Sequence, residues 1–162
     1  MHKISILYHS EGGNTKAMAE LIAKGARKTG CEAKTMAVDD LDLPYIEESR
    51  AVLFGSPTYY GTTSWQMKKL MDTISVKLEG KLGAPFASAA WQGGGGYEFT
   101  EMTLIAGMLI RGMLIYSGGV STGHPPTHFG AVSTGVPNGF DAERCIKLGV
   151  NIAKKINELW SQ

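Results

Sequence analysis

Ile4-Ser5-Ile6-Leu7-Tyr8-His9-Ser10-Glu11-Gly12-Gly13-Asn14-Thr15-Lys16-Ala17-Met18-Ala19-Glu20-Leu21-Ile22 is the stretch on which the fold turns. Residues 4–8 are a short apolar run of strand length. A polar turn holding two adjacent glycines follows. Residues 15–28 then place Ala17, Met18, Leu21, Ile22 and Ala26 on one face at helical spacing, and Gly30 sits where a helix stop belongs. Strand, glycine turn and helix in this order form the first half of a βαβ unit.

The pattern recurs downstream. Residues 32–38 alternate weakly and predict an edge strand, and 39–50 form a polar connection around Pro44 with room for one helical turn. Residues 51–55 read as a short buried strand, followed by the turn signal Ser56-Pro57. A helix is predicted at 64–75, a strand at 85–91, a strongly apolar helix at 97–111, a fifth strand at 113–116 and a last helix at 141–160. Residues 117–140 are rich in Gly, Pro, Ser and Thr without periodicity, and a structureless stretch of that length is usually functional. Five strands alternating with helices imply an α/β domain, 1–162, built on a parallel sheet covered on both faces.

Composition excludes several classes. Across 162 residues the hydrophobic share is 43% and the charged share 19%, which suits one well-packed globular domain. A net charge of +1 gives no field that would gather nucleic acid or an anionic membrane. Cys31 and Cys145 stand in no motif and read as free thiols of a reducing compartment. Met1-His2-Lys3 runs straight into the first strand, and no apolar run has the ~20 residues of a membrane span. The cytoplasm is therefore the expected location.

Ligands of open α/β sheets bind beyond the carboxyl ends of the strands. The segments that follow the first, third, fourth and fifth strands are thus expected to converge at one end. The first suits a phosphate: its glycines free backbone N–H groups, Ser10, Asn14 and Thr15 add side-chain donors, and a helix N-terminus points at the site. A plain βα turn capped by Asn or Thr is the competing reading of this loop alone. It lacks both the Gly-Lys-Ser/Thr ending of a Walker A loop and a Gly-x-Gly-x-x-Gly pattern. Tyr59, Tyr60, Trp65 and Trp91, with the bare backbone of the run from Gly93 to Gly96, suit a flat heterocycle, although Tyr60 and Trp65 can equally be packing residues.

Four histidines occur. His124 and His128 are four apart, but Pro125 and Pro126 forbid the helix that would align them, so no metal site is expected. His9 reads as a satisfied loop residue. His128 is the candidate for a proton donor or substrate-pocket residue.

These residues resemble the flavodoxin-like FMN proteins, and within them the WrbA-type NAD(P)H:quinone oxidoreductases. Ser10-Glu11-Gly12-Gly13-Asn14-Thr15 is similar to the phosphate loop, Gly55-Ser56-Pro57-Thr58-Tyr59-Tyr60-Gly61 to the second flavin loop, and Ala89-Ala90-Trp91-Gln92-Gly93-Gly94 occupies the third. Thr127-His128-Phe129-Gly130-Ala131 is similar to a further family segment. The resemblance implies a three-layer fold with strand order 2-1-3-4-5 and FMN as a non-covalent cofactor. Ser10 through Thr15 would hold the phosphate, Pro57 through Gly61 would flank the ring, and Ala90 through Gly94 would face its edge and the ribityl chain. It also implies NAD(P)H as co-substrate, a quinone or similar small acceptor, and a homodimer or homotetramer in which a neighbouring chain lines the pocket. A flavodoxin electron carrier without its own substrate is the alternative. Three departures stand out: Gly12 replaces a hydroxyl residue, Arg111 replaces a histidine before Gly112-Met113, and no tryptophan lies between 73 and 81.

Overall fold

The structure is a computed structural model that describes residues 1–91 and 95–160. The elements in chain order are β1 (Lys3–Tyr8), α1 (Asn14–Arg27), β2 (Glu32–Ala37), α2 (Leu43–Glu48), β3 (Ala51–Tyr59), β4 (Thr62–Thr63), α3 (Trp65–Thr73), β5 (Leu82–Ala89), α4 (Tyr97–Ile110), β6 (Leu114–Ile115), β7 (Ala131–Thr134) and α5 (Gly139–Trp160). The sheet order is β2-β1-β3-β5-β6, with β7 also paired to β5 and all of these pairings parallel. Counting only the principal strands, this is the expected 2-1-3-4-5 flavodoxin-like order.

Strand alternation decides the two faces. Ile4, Ile6, Leu53 and Phe86 point to the side covered by α1 and α5, where Met18, Ile22, Leu148 and Ile152 complete one core. Leu7, Val52 and Phe54 point to the other side, against Met67, Leu70, Leu104 and Met108 of α3 and α4. Asp42 caps α2 by accepting from the Tyr45 N–H at 3.1 Å, which fixes the single helical turn expected near Pro44. Cys31 and Cys145 are both free and buried.

Two expectations change. Ser56-Pro57 is not a turn: β3 runs through it to Tyr59. The β1 ladder ends at Tyr8↔Gly55, so no partner strand on that side requires the N–H that Pro57 lacks. The chain reverses instead at Tyr60-Gly61, whose φ values of 49° and 80° make the tight hairpin that pairs Thr58–Tyr59 with Thr62–Thr63.

Second, the fifth strand is split. Leu114–Ile115 pairs with Leu82–Gly83, and Ala131–Thr134 pairs with Phe86–Ala89. Residues 116–130 therefore leave the sheet edge midway along β5, not at its carboxyl end. Four-residue β7 lay hidden in a segment read as structureless, because its residues Ala-Val-Ser-Thr carry no distinctive apolar run.

One buried acid sits at this edge. Glu101 of α4 is 3% exposed, and its Oε1 has no hydrogen-bond partner. Burial pushes its carboxyl up to about 8, and the Arg144 charge only partly opposes this. The folded state thus holds a proton that the unfolded chain releases near pH 4.5, so the stability contributed here is lost as pH rises from about 4.5 through about 8. Glu101→Gln is expected to remove a fall on the order of 5 kcal/mol across that window, about 3 kcal/mol of it above pH 5.5, and to be the more stable protein at pH 9. Urea unfolding of both proteins at pH 5.5 and pH 9 measures this; parallel pH dependences would refute it.

Candidate functional site

The carboxyl ends of β1, β3 and β5 meet at a depression of about 280 Å³ lined by Ser10, Glu11, Gly12, Asn14, Thr15, Pro57, Thr58, Tyr59, Ser88, Ala89 and Ala90. Three of the four predicted segments do converge. The fourth does so only in part: residues 135–138 follow the carboxyl end of β7, where the Gly135 N–H donates to the Ala89 carbonyl. Residues 116–130 leave at mid-strand, and His128 is exposed, at φ 44°, and absent from the lining. Its carbonyl accepts a hydrogen bond from the Ser117 hydroxyl, which ties the segment back on itself.

The floor of the depression is the start of α1. Gly13 is the N-cap residue, with φ 91°, and no side chain caps the helix. The first-turn N–H groups are therefore open to an external acceptor, and the helix dipole favours an anion there. A side chain at Gly13 would be strained by that φ, whatever the space around it. Ser10 Oγ accepts from the Gly13 N–H at 3.1 Å, which shapes the turn and leaves the hydroxyl hydrogen free to donate outward. Thr15 is 1% exposed, and its Oγ1 lies 2.9 Å from Ser88 Oγ. This hydroxyl pair joins the helix to β5 directly under the cradle. Among the described residues no Lys or Arg lines the depression, so an anion here would be held by neutral donors.

The second wall is the β3–β4 hairpin. Thr58 Oγ1 accepts from Thr100 Oγ1 at 3.0 Å, fastening the hairpin to α4. Tyr59 lines the depression, while Tyr60 projects fully into solvent. Tyr59 meets the His9 ring edge-on at 6.3 Å. His9 Nδ1 lies 2.9 Å from Ser64 Oγ, which also accepts from the Met67 N–H and the Ser56 hydroxyl. His9 Nε2 faces Glu11 Oε1 at 3.8 Å. Burial holds the His9 pKa below its usual value, against the Glu11 charge. Burial first, then the Glu11 charge, raises the Tyr59 phenol.

On the third side, Ala90 lines the depression and Trp91 stands exposed at its rim. Gln92, Gly93 and Gly94 lie outside the described residues. Gly61 meets Gly96 so closely that a Cβ on Gly96 would sit 3.0 Å from Gly61 Cα. Among the described residues no cluster of three or more His, Cys, Asp or Glu side chains is placed to hold a metal, and no helix is long and apolar enough to cross a membrane. A larger cleft of about 620 Å³ lies beyond His9, between 38–43 and α3. It has neither an open helix end nor a glycine loop, so the chemistry marks the smaller depression. Sequence reasoning missed Ser88, which sits inside β5 next to the carboxyl end of the strand, while Ala89, quoted with the third loop, is the last residue of that strand.

Comparison with known proteins agrees with this geometry. The flavodoxin family pattern matches residues 6–109. A flavodoxin of Clostridium saccharobutylicum is 41% identical over 160 residues, covering 98% of this chain and 99% of that protein. An NAD(P)H dehydrogenase (quinone) of Archaeoglobus fulgidus is 30% identical over 197 aligned residues, covering 98% and 100%. The crystal structure of a flavodoxin, WrbA-like protein from Agrobacterium tumefaciens superposes with a TM-score of 0.80 at 27% identity, covering 98% and 99%. From the strand–glycine loop–helix opening, the sheet order and these matches together, the chain belongs to the flavodoxin family.

Proposed function

We propose that the depression binds FMN and that the protein is an NAD(P)H-dependent oxidoreductase passing two electrons to quinones or similar small acceptors. The residues fit the cofactor. The uncapped α1 N-terminus, the free side of Ser10, and Asn14 and Thr15 would receive the phosphate. Pro57, Thr58, Tyr59, Ala90 and the exposed Tyr60 and Trp91 would flank the ring, with Gly61 turning the hairpin and Glu11 at the loop's outer edge. When bound, FMN supplies the ring that takes up hydride and gives up electrons; the protein positions it.

The observation that carries the choice of acceptor is the rim. Tyr59 lines the depression, and Tyr60 and Trp91, next in the chain to its lining residues Tyr59 and Ala90, are exposed. With a net charge of +1, the protein has no strong field to steer a charged protein partner. An aromatic, uncharged approach suits a neutral planar acceptor. A flavodoxin carrier is the second reading, favoured by the 41% identical flavodoxin and by the absence of His128 from the lining of the depression.

Mixing the FMN-loaded protein with NADH or NADPH and a benzoquinone is expected to give quinone-dependent nicotinamide oxidation. Bound flavin without that turnover would leave the carrier reading; no flavin uptake would overturn both.

A further inference from the structure

We propose that the cleft of about 620 Å³ beyond His9 is a second ligand site, and that it takes a flat aromatic acid carrying a hydroxyl at the end away from its carboxylate. Its size is that of a small-molecule site, roughly 300 to 1,000 Å³. One wall is α3, which presents two stripes at four-residue spacing. Gln66, Leu70 and Ile74 form the inner stripe, and Trp65, Lys69 and Thr73 the exposed outer one. Val38, Leu41 and Leu43 form the facing wall. Two walls rich in aliphatic side chains suit a flat apolar body, and an exposed tryptophan at the rim can stack on it.

Two charged groups select the ends of the occupant. Lys69 and Asp39 both line the cleft, and among the described residues neither makes an ion pair or a side-chain hydrogen bond. The neighbouring Lys68, by contrast, is tied to Asp72 at 2.7 Å. An unpaired ammonium at the edge of apolar walls is complemented by a carboxylate. Asp39 stands at the His9 end, where its charge reaches the imidazole. An acid there repels a second carboxylate and accepts a hydrogen bond from a hydroxyl. The two groups thus set both the chemistry of the occupant and the direction in which it lies.

The cleft and the depression share a wall. Gln66 Nε2 donates to Glu11 Oε1 at 3.4 Å, and His9 Nε2 stands 3.8 Å from the same oxygen. His9 and Gln66 line the cleft, whereas Glu11 lines the depression. His9 also meets Tyr59 edge-on. An occupant that touches His9 therefore acts on the groups that hold Glu11 and Tyr59 against the flavin. That coupling rests on the FMN reading above; the cleft itself does not.

Calorimetric titration of the FMN-loaded protein with hydroxynaphthoate, naphthoate and naphthol tests the site. Hydroxynaphthoate, with its two groups at opposite ends of the ring pair, is expected to bind most tightly, at one equivalent per chain. Lys69→Gln should weaken both acids roughly fivefold and leave naphthol unchanged. Asp39→Asn should weaken hydroxynaphthoate and naphthol by a similar factor and should not weaken naphthoate. Thr73→Trp obstructs the cleft from an exposed position and should abolish binding of all three with an unchanged urea midpoint. No binding of hydroxynaphthoate at millimolar concentration, binding that survives Thr73→Trp, or equal effects of Lys69→Gln on the acids and on naphthol would overturn the site. The two charge variants lie on the surface and decide the matter even where Thr73→Trp fails to fold. Saturating hydroxynaphthoate should shift the visible absorption of the bound flavin; an unshifted spectrum would overturn the coupling. Failure to take up FMN would strike the FMN reading, and titration of the flavin-free protein beside its Thr73→Trp variant would still decide the cleft.

Discussion

Gly149→Val is expected to lower the unfolding free energy by roughly 3 kcal/mol or more, enough to leave much of the protein unfolded in moderate denaturant. A Cβ at Gly149 of α5 would lie 2.0 Å from the Ile22 carbonyl oxygen and 2.8 Å from the Ala26 nitrogen, both backbone atoms of α1. The relation is mutual: a Cβ at Gly25 of α1 would lie 1.9 Å from the Ile146 carbonyl oxygen of α5. Two glycines thus let the helices touch backbone to backbone, and a helix interior accepts glycine only at a cost of about 1 kcal/mol relative to alanine. A branched side chain there must push α1 and α5 apart, opening the core that Met18, Ile22, Leu148 and Ile152 fill between them and the sheet. Gly107→Ala is the comparison. Its Cβ would meet only the flexible end of Met71, so the change should stay within about 1 kcal/mol. Urea unfolding of both variants tests this, and equal midpoints for Gly149→Val and wild type would refute it.

Much of this architecture is legible in the chain because each local signal agrees with the fold around it. The apolar runs at 4–8 and 51–55 become β1 and the first half of β3, and the helical spacing of 15–28 becomes α1 within a residue at each end. Convergence of Ser10–Thr15, Pro57–Tyr59 and Ala90 follows from parallel strands and crossover connections alone. What stays hidden depends on partners remote in sequence. Pro57 signals a turn locally, yet it sits in a strand because β1 stops short of it. Residues 117–140 look like one loop, although Phe86–Ala89 recruits four of them into the sheet. That recruitment moves the root of the 116–130 excursion, and His128 with it, to the middle of the sheet edge. Ser88 gains its place from the Thr15 hydroxyl, a partner 73 residues away. The apolarity of 97–111 is visible at once, but only the fold shows that one side of it faces water.

Thr15→Asp is expected to weaken FMN binding on the order of a thousandfold while leaving riboflavin binding nearly unchanged. The Thr15 hydroxyl is buried between the open end of α1 and Ser88 Oγ, where it can donate to an anion seated on the helix N-terminus. A carboxylate in that place opposes a phosphate across a few ångströms. Two like charges about 4 Å apart at an effective dielectric constant of about 20 repel by about 4 kcal/mol, close to three powers of ten in affinity. Thr15→Val removes only the hydroxyl, and about tenfold is expected from the loss of one hydrogen bond. Burying a carboxylate where Thr15 is 1% exposed costs stability, partly offset by the helix dipole in the first turn of α1. Riboflavin lacks the phosphate, so its affinity separates repulsion at the cradle from general damage to the depression. Fluorescence titration of each flavin with flavin-free protein measures both, with the urea midpoint as a control on folding. Equal losses for FMN and riboflavin would place the damage outside the cradle. An unchanged FMN affinity would mean that no phosphate sits on the N-terminus of α1, and the loop from Ser10 to Thr15 would then be a βα turn and nothing more.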